Sequence, residues 1–465
     1  EQLCERVRHS AYPPAASDEG ARVAVKVTVV GGGSSMFVPL LLRRFLQAPC
    51  MRGGTLTLMD VDAGRLAVMD SLARVLVENE EADLTIESTT DQRESLVGAD
   101  FVIISIAVGG MLAWEDDIEI PGRHGVFMHI ADSIGPGGIM RAFRNLPVIE
   151  SIAKDAAEVA PGAWILNYTN PATAVAHVLA GVPGVRFISL CSCTGYPTNP
   201  QWLAEQAGVF ADELMTPVPV AGLNHCAGVT ELRLRDGTDA LPLVRARTED
   251  EVVRWALDSF GVLPYCWAHW VEFFPQLQRL TEPYTGRAQG LAMSHGRRIY
   301  VMDEQRQRAQ GWSELAERWS QPEHRHEARL ASMPHGPEDE GIEVVDVIES
   351  IVENRGGRFI VNVENHGSIA NLPEDAIVEV PAVIDGYGAH TLAIGPLDYG
   401  LASHLKRHWA VQKLTAEAAL SGNRSTARQA FVLDPLVEAT LTLEGGDRLL
   451  DEMLAANAPL LPRFA

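Results

Sequence analysis

Three short stretches carry side chains able to do chemistry at the ends of apolar runs. SLCSCTG, residues 189–195, sets Cys191 and Cys193 one residue apart. NYTNPA offers Asn167 and Asn170, and GLNHCAG offers Asn224 and His225. A metal site, a disulfide, a nucleophile and a buried strand end are all open readings of the cysteine pair. One thiolate and one imidazole from separate strand ends, near carboxamides, can hold a divalent cation such as Mn²⁺ and leave positions open for a substrate. A fourth stretch runs Gly31-Gly32-Gly33-Ser34-Ser35. Its glycines let the backbone approach a pyrophosphate at a helix N-terminus, and Asp60, closing the next strand, can accept hydrogen bonds from a ribose diol. These residues predict dinucleotide binding, although Met36 stands where the third glycine of the usual fingerprint would be.

The elements that must position these groups alternate. VAVKVTVVGGGSS, GTLTLMDVD, LTIEST, DFVIISIAVGG, AWILNYTNPA and VRFISLCSC read as strands, with helical segments between them. That order predicts an α/β fold with a Rossmann-type, doubly wound parallel sheet and right-handed crossovers. Residues 1–24 read as a polar arm, 25–215 as the NAD-binding domain, and 216–465 as a second α+β domain rich in C-terminal helices that completes the catalytic site and the oligomer interface. Hydrophobic residues make up 46 % and charged residues 21 % of the 465, as in an ordinary enzyme-sized protein. A formal charge of −23 excludes a nucleic-acid surface and an anionic membrane face, both of which need clustered Lys and Arg. No apolar run reaches the length of a membrane span, no signal-peptide core is present, and six cysteines are too few and too unevenly spaced for a secreted disulfide scaffold. The expected setting is a reducing cytoplasm.

With ADFVIISIAVGG, IPGRHGV, GPGGIMRAFRNLPV, NYTNPA, GLNH, HWVEFFP, NLPEDAIVEVPAVID and LTAEAALSGNRSTARQAFVLDPLV in hand, the chain resembles the NAD-dependent glycosidases of glycoside hydrolase family 4 and their sister families, nearly from end to end. The resemblance implies that Cys191 and His225 bind a divalent metal beside the nicotinamide, with Cys193 left to packing. It implies that Asn167 and Asn170 lie near the substrate and that Asp132 faces sugar hydroxyls. Gly31, Gly33, Ser34, Ser35, Asp60 and Asn167 are the expected cofactor contacts, and Asn170 and Asn224 the expected sugar contacts. The implied chemistry departs from the two-carboxylate rule for glycosidases. NAD⁺ oxidises C3 of the sugar, the C2 proton becomes acidic, a base removes it, the C1 aglycone leaves by elimination, water adds, and C3 is reduced again. Tyr265 in LPYCWAHWVEFF is the expected base and His269 the second candidate.

Departures from the family pattern mark a divergent subgroup. Ser192 follows the metal cysteine where relatives carry His, Asp or Asn, and a serine cannot donate a proton comparably at neutral pH. Ala107 replaces an arginine, Ala131 a glutamine, and Asp132 a glutamate. Arg123, His124 and His129 are expected at the active-site edge, where they would suit an anionic C6 substituent. Sulfoquinovoside is the leading sugar, narrowly ahead of a uronide, and a homodimer or homotetramer is the expected assembly. Two rival readings are a 2-hydroxy-acid dehydrogenase of the malate or lactate type and a non-catalytic NAD sensor. Chain length and the Cys191/His225 pair weigh against the first, and retention of those two residues with Asn167 weighs against the second.

Overall fold

In the computed structural model the described residues are 24–464, apart from 36, 129, 281–294 and 334–342. The expected N-terminal arm therefore lies, but for residue 24, outside the described residues, and so does His129. Strands β1 (Lys26–Val30), β2 (Gly54–Met59), β3 (Leu84–Thr89), β4 (Phe101–Ile104), β5 (Trp164–Asn167) and β6 (Arg186–Ser189) pair in the order β3-β2-β1-β4-β5-β6. Every one of these pairings is parallel. The strands read as unbroken apolar runs because helices cover both faces. Val27, Val29, Leu58, Ile103 and Leu166 enter one core, and their alternates Val30, Met59, Val102, Ile104 and Ile165 enter the other. Between β1 and β4 the order reverses direction, which opens a crevice at the carboxyl ends of the strands. This is the predicted Rossmann-type α/β sheet.

The second half, expected as a domain from residue 216 onward, begins on strands that join this sheet. Strands β7 (Val220–Leu223), β8 (Cys226–Val229), β9 (Leu263–Pro264), β10 (Gly357–Glu364), β11 (Ile377–Asp385) and β12 (Gly388–Thr391) extend the same sheet to twelve strands. β10 joins antiparallel beside β6 through Asn362 and Ser189, and β11 carries β7 on its far edge through Glu379 and Gly222. The reason is an unpaired edge: β6 ends the parallel set with its main-chain groups free, and β10 satisfies them. The C-terminal helices return to the first half as well. Val411 and Ala418 of helix Tyr399–Ser421, and Leu449 and Met453 of helix Leu443–Ala456, share a core with Phe143, Leu146 and Val175. Helix Gly135–Val159 is buried over most of its circumference, so it needs cover on several sides. The consequence for function is direct: side chains from both halves converge on one row of strand ends. Among the described residues no helix is long and apolar enough to cross a membrane.

Candidate active site

The nucleotide edge is made of backbone. Gly31 and Gly32 both donate their amides to Met59 O of β2, and Gly31 has φ +97°. A Cβ on Gly31 would stand 2.1 Å from Ser105 O, and one on Gly32 would stand 2.7 Å from Met59 N. The chain can turn between β2 and β4 only because these side chains are absent. Asp60 accepts from Gly33 N at 2.9 Å through Oδ2 and from Asp62 N through Oδ1, so its carboxylate braces the turn that a nucleotide would meet. Ser34 Oγ accepts from Phe37 N at 3.2 Å ahead of helix Val38–Gln47, and Ser35 is half-buried beside it. Gly31, Gly33, Ser34, Ser35 and Asp60 thus gather at the one turn between β1 and the helix Val38–Gln47.

The second edge is made of side chains. β7 and β8 join through the two-residue turn Asn224-His225, with Leu223 paired to Cys226. His225 takes φ +68°, a left-handed conformation that costs a residue with a Cβ and is kept where surroundings enforce it. The turn drives its imidazole against Asp132, Ser133 and His269. Ser133 Oγ donates to Asp132 Oδ1 at 2.6 Å, and His225 Nδ1 lies 2.7 Å from the same hydroxyl oxygen. With the hydroxyl proton committed to the carboxylate, Nδ1 must be the donor, so Nε2 keeps its lone pair for a ligand. His269 stacks on His225 with ring centres 3.7 Å apart, and its Nδ1 is 3.5 Å from Asp132 Oδ1. That Nδ1 is buried without a hydrogen bond among the described residues.

Electrostatics follow from burial. Burial drives the His225 pKa down to about 3, with His269 adding to the fall and Asp132 opposing it, so the ring is neutral and able to coordinate. Burial pushes Asp132 up, but His269, His225 and Arg141 outweigh it and hold the carboxyl at about 2. Asn170, which precedes a cis bond to Pro171, donates Nδ2 to Asp132 Oδ2 at 2.8 Å. The loop carrying Asp132 is fixed from below by Glu272, whose Oε1 accepts from Ile130 N at 2.7 Å and Ala131 N at 3.0 Å. Ala131 itself has φ +58°.

Cys191, two residues past the end of β6, is 8 % exposed, and burial raises its thiol pKa well above the ordinary value. A ligand atom from each of Cys191, Cys193 and His225 lies within 4.8 Å of the others. A divalent cation fits this donor set: it would supply the positive charge that a buried thiolate needs, and His225 Nε2 offers it an imidazole. Beneath lies Glu379 of β11, fully buried. It accepts from Asn224 and Asn362 at 2.8 Å each and from the Tyr265 hydroxyl. Burial raises its pKa, and these three donors pull the other way.

Several expectations need correction. Asn167 does not point outward to a cofactor: Nδ2 donates to Thr169 O and Ser189 Oγ, and Oδ1 accepts from Thr169 N. Both donors are consumed in shaping the loop after β5. Asn224 is 2 % exposed and stands behind Cys191, held by Glu379, as a support rather than a surface sugar contact. Arg123 and His124 are paired with Glu452 of helix Leu443–Ala456, at 2.6 and 2.7 Å, and take their charge partner there instead of at the Asp132 cluster. Cys193 is not mere packing, because it forms a disulfide with Cys266. Ser133, Glu272, Glu379 and Arg141 escaped sequence reading. Glu272 and Glu379 lie in stretches quoted above, but their roles depend on partners 141 and 155 residues away. Arg141 stands on helix Gly135–Val159 with its guanidinium 5.7 Å from the Trp114 ring centre, and its Nε is buried without a hydrogen bond among the described residues.

Comparison with known proteins agrees with this geometry. Residues 26–197 match the model of the family 4 glycosyl hydrolases, and residues 220–437 match that of the family 4 C-terminal domain. An alpha-galactosidase of Rhizobium meliloti is 30 % identical over 95 % of this chain and 90 % of its own. An alpha-galacturonidase of Bacillus subtilis is 27 % identical over 92 % of this chain and 97 % of its own. A 6-phospho-beta glucosidase structure from Thermotoga maritima, with manganese, NAD⁺ and glucose-6-phosphate, superposes with a TM-score of 0.76 at 22 % identity, covering 94 % of this chain and 99 % of that one. Its likeness is one of fold, and the family follows from the two matched domains. The chain belongs to family 4 of the glycosyl hydrolases.

Proposed function

We propose that this glycosyl hydrolase is an NAD-dependent glycosidase with a divalent metal, Mn²⁺ by preference, held by Cys191 and His225. The observation that carries the reading is the tautomer forced on His225: Ser133 and Asp132 fix Nδ1 as the donor and leave the Nε2 lone pair free on a ring whose ligand atom lies within 4.8 Å of that of Cys191. Manganese and NAD⁺ in the Thermotoga maritima structure support the same cofactor pair. When bound, NAD⁺ supplies reversible hydride transfer and the cation a Lewis acid. The chain's own residues do the remaining work. Asp132 and Asn170 bind and orient sugar hydroxyls. Tyr265 takes the proton from C2 of the oxidised sugar and can pass its own to Glu379, to which its hydroxyl already donates. His269, neutral because burial lowers its pKa, is the second candidate for proton transfer.

For the sugar we infer a hexoside with an anionic substituent, sulfoquinovoside or a uronide. With Arg123 and His124 engaged by Glu452, Arg141 becomes the cation that supports this reading, and the Bacillus subtilis alpha-galacturonidase is a relative with such a substrate. An uncharged alpha-galactoside is the second reading, favoured by the alpha-galactosidase of Rhizobium meliloti. The test is hydrolysis across a panel of sulfoquinovoside, galacturonide, glucuronide, 6-phosphoglucoside and galactoside, with and without added NAD⁺. The expected result is NAD⁺-dependent hydrolysis of an anionic sugar without steady accumulation of NADH. Stoichiometric NADH release with malate or lactate would favour the dehydrogenase instead, and preference for galactoside would favour the second sugar.

A further inference from the structure

Cys193 and Cys266 flank the centre from opposite segments, their Cα atoms 5.7 Å apart and their sulfurs joined. Ligand atoms of Cys191, Cys193 and His225 lie within 4.8 Å of one another, and those of His225, Cys266 and His269 form a second such group. His225 belongs to both. While the disulfide is closed neither of its sulfurs is an anion, so the centre offers one thiolate, imidazole nitrogen and open positions for oxygen ligands. Manganese tolerates such a set. Opening the disulfide adds Cys193 as a second thiolate within reach of the same ion, and two thiolates with an imidazole make a donor set for zinc.

We propose that the Cys193–Cys266 pair selects the metal: closed, it keeps the centre open to Mn²⁺, and opened, it turns the centre into a zinc trap. The proposal rests on Cys191 and His225 being metal ligands. The opening step needs an external reductant of the dithiol or phosphine class. With a phosphine, the S–S bond breaks, two thiols form, and the phosphine leaves as its oxide with the oxygen of one water. Cys193 is only half-buried, which leaves it the reachable sulfur, whereas Cys266 is 5 % exposed. Zinc binding then displaces the thiol protons.

The test uses the full chain, stripped of metal, with NAD⁺ present and oxygen excluded. Zinc affinity is read by competition with a chromogenic chelator, and cobalt(II) reports thiolate ligands through its sulfur charge-transfer absorption. Phosphine treatment should release two further titratable thiols, tighten zinc roughly 100-fold and about double the cobalt–thiolate absorption. Cys266→Ala, which leaves Cys193 free, should bind zinc tightly without phosphine. The double variant Cys193→Ala/Cys266→Ala, which has neither sulfur, should bind it weakly with or without phosphine. Retained NAD⁺ affinity in both variants reports that they fold. A zinc affinity that phosphine does not move, or a full response in the double variant, overturns the proposal. Failure of the ligand reading looks different: Cys191→Ala would then bind Mn²⁺ as well as the unaltered chain.

Discussion

The two edges of the crevice are built by opposite means. At the nucleotide edge, Gly31, Gly32 and Gly33 matter for what they lack, and the site is a turn of backbone braced by Asp60. At the other edge, Asp132, Asn170, Cys191, His225, Tyr265 and His269 arrive from separate segments, and Asp132, Asn170, His225 and Tyr265 are held by polar partners. A backbone site needs only local sequence and a strand on either side. A side-chain site needs long-range pairing, because its support Glu379 stands on β11, which lies between β10 and β7, and Glu272 comes from the helix Trp267–Phe273 to hold residues 130 and 131. The two edges should therefore fail differently when altered.

The largest separation is expected for the metal ligands. Cys191→Ala and His225→Ala should each lower turnover by about 1000-fold or more and abolish Mn²⁺ binding. NAD⁺ affinity, measured by calorimetry on the same samples, should change less than tenfold, since the glycine turn is untouched, by the order-of-magnitude measure of one hydrogen bond. Equal loss of both would mean that the edges do not act independently. Gly31→Ala is the converse. Its Cβ would lie 2.1 Å from Ser105 O at φ +97°, and the expected cost is about 3 kcal/mol of stability with loss of NAD⁺ binding. Denaturant unfolding at fixed pH checks it, and a variant as stable as the parent would contradict the close approach.

A smaller effect separates the edges by pH. In the metal-free chain His225 titrates at about 3, against 6.5 for an ordinary histidine, so on acidification the unfolded chain binds this proton first. Its contribution is lost as pH falls from 6.5 toward 3. Asp132, at about 2 against 3.8, adds a second loss as pH falls through that lower range. Both signs agree, and stability should decline toward acid in two stages. Thermal unfolding of the metal-free protein should show this decline, and His225→Gln should make the upper stage shallower, the remainder coming from His269, His404 and His408, whose pKa values burial also lowers. A profile unchanged in that variant would contradict a buried, neutral imidazole.

The same contrast explains how much was legible in the sequence. The strands of the parallel half, the glycine turn, Asp60, and the convergence of Asp132, Cys191, His225, Tyr265 and His269 could all be read from apolar periodicity, strand-end chemistry and the family resemblance. Asn167 could not be separated from Asn170, because adjacent carboxamides on one loop look alike until one is found bonded to Thr169 and Ser189 and the other to Asp132. Arg123 sits next to a motif, but its partner Glu452 is 329 residues away. The continuous sheet was hidden for the same reason: β10 pairs with β6 across more than 160 residues of intervening chain, a contact that local pattern does not encode.

The central claim, that this geometry serves elimination through an oxidised sugar rather than direct displacement by two carboxylates, is tested most directly by turnover in D₂O. If Tyr265 or His269 removes the C2 proton, the sugar released with NAD⁺ and Mn²⁺ present should carry deuterium at C2, read by NMR or mass spectrometry. Direct displacement leaves that C–H bond untouched. Hydrolysis that proceeds at full rate with no deuterium at C2 would contradict the account.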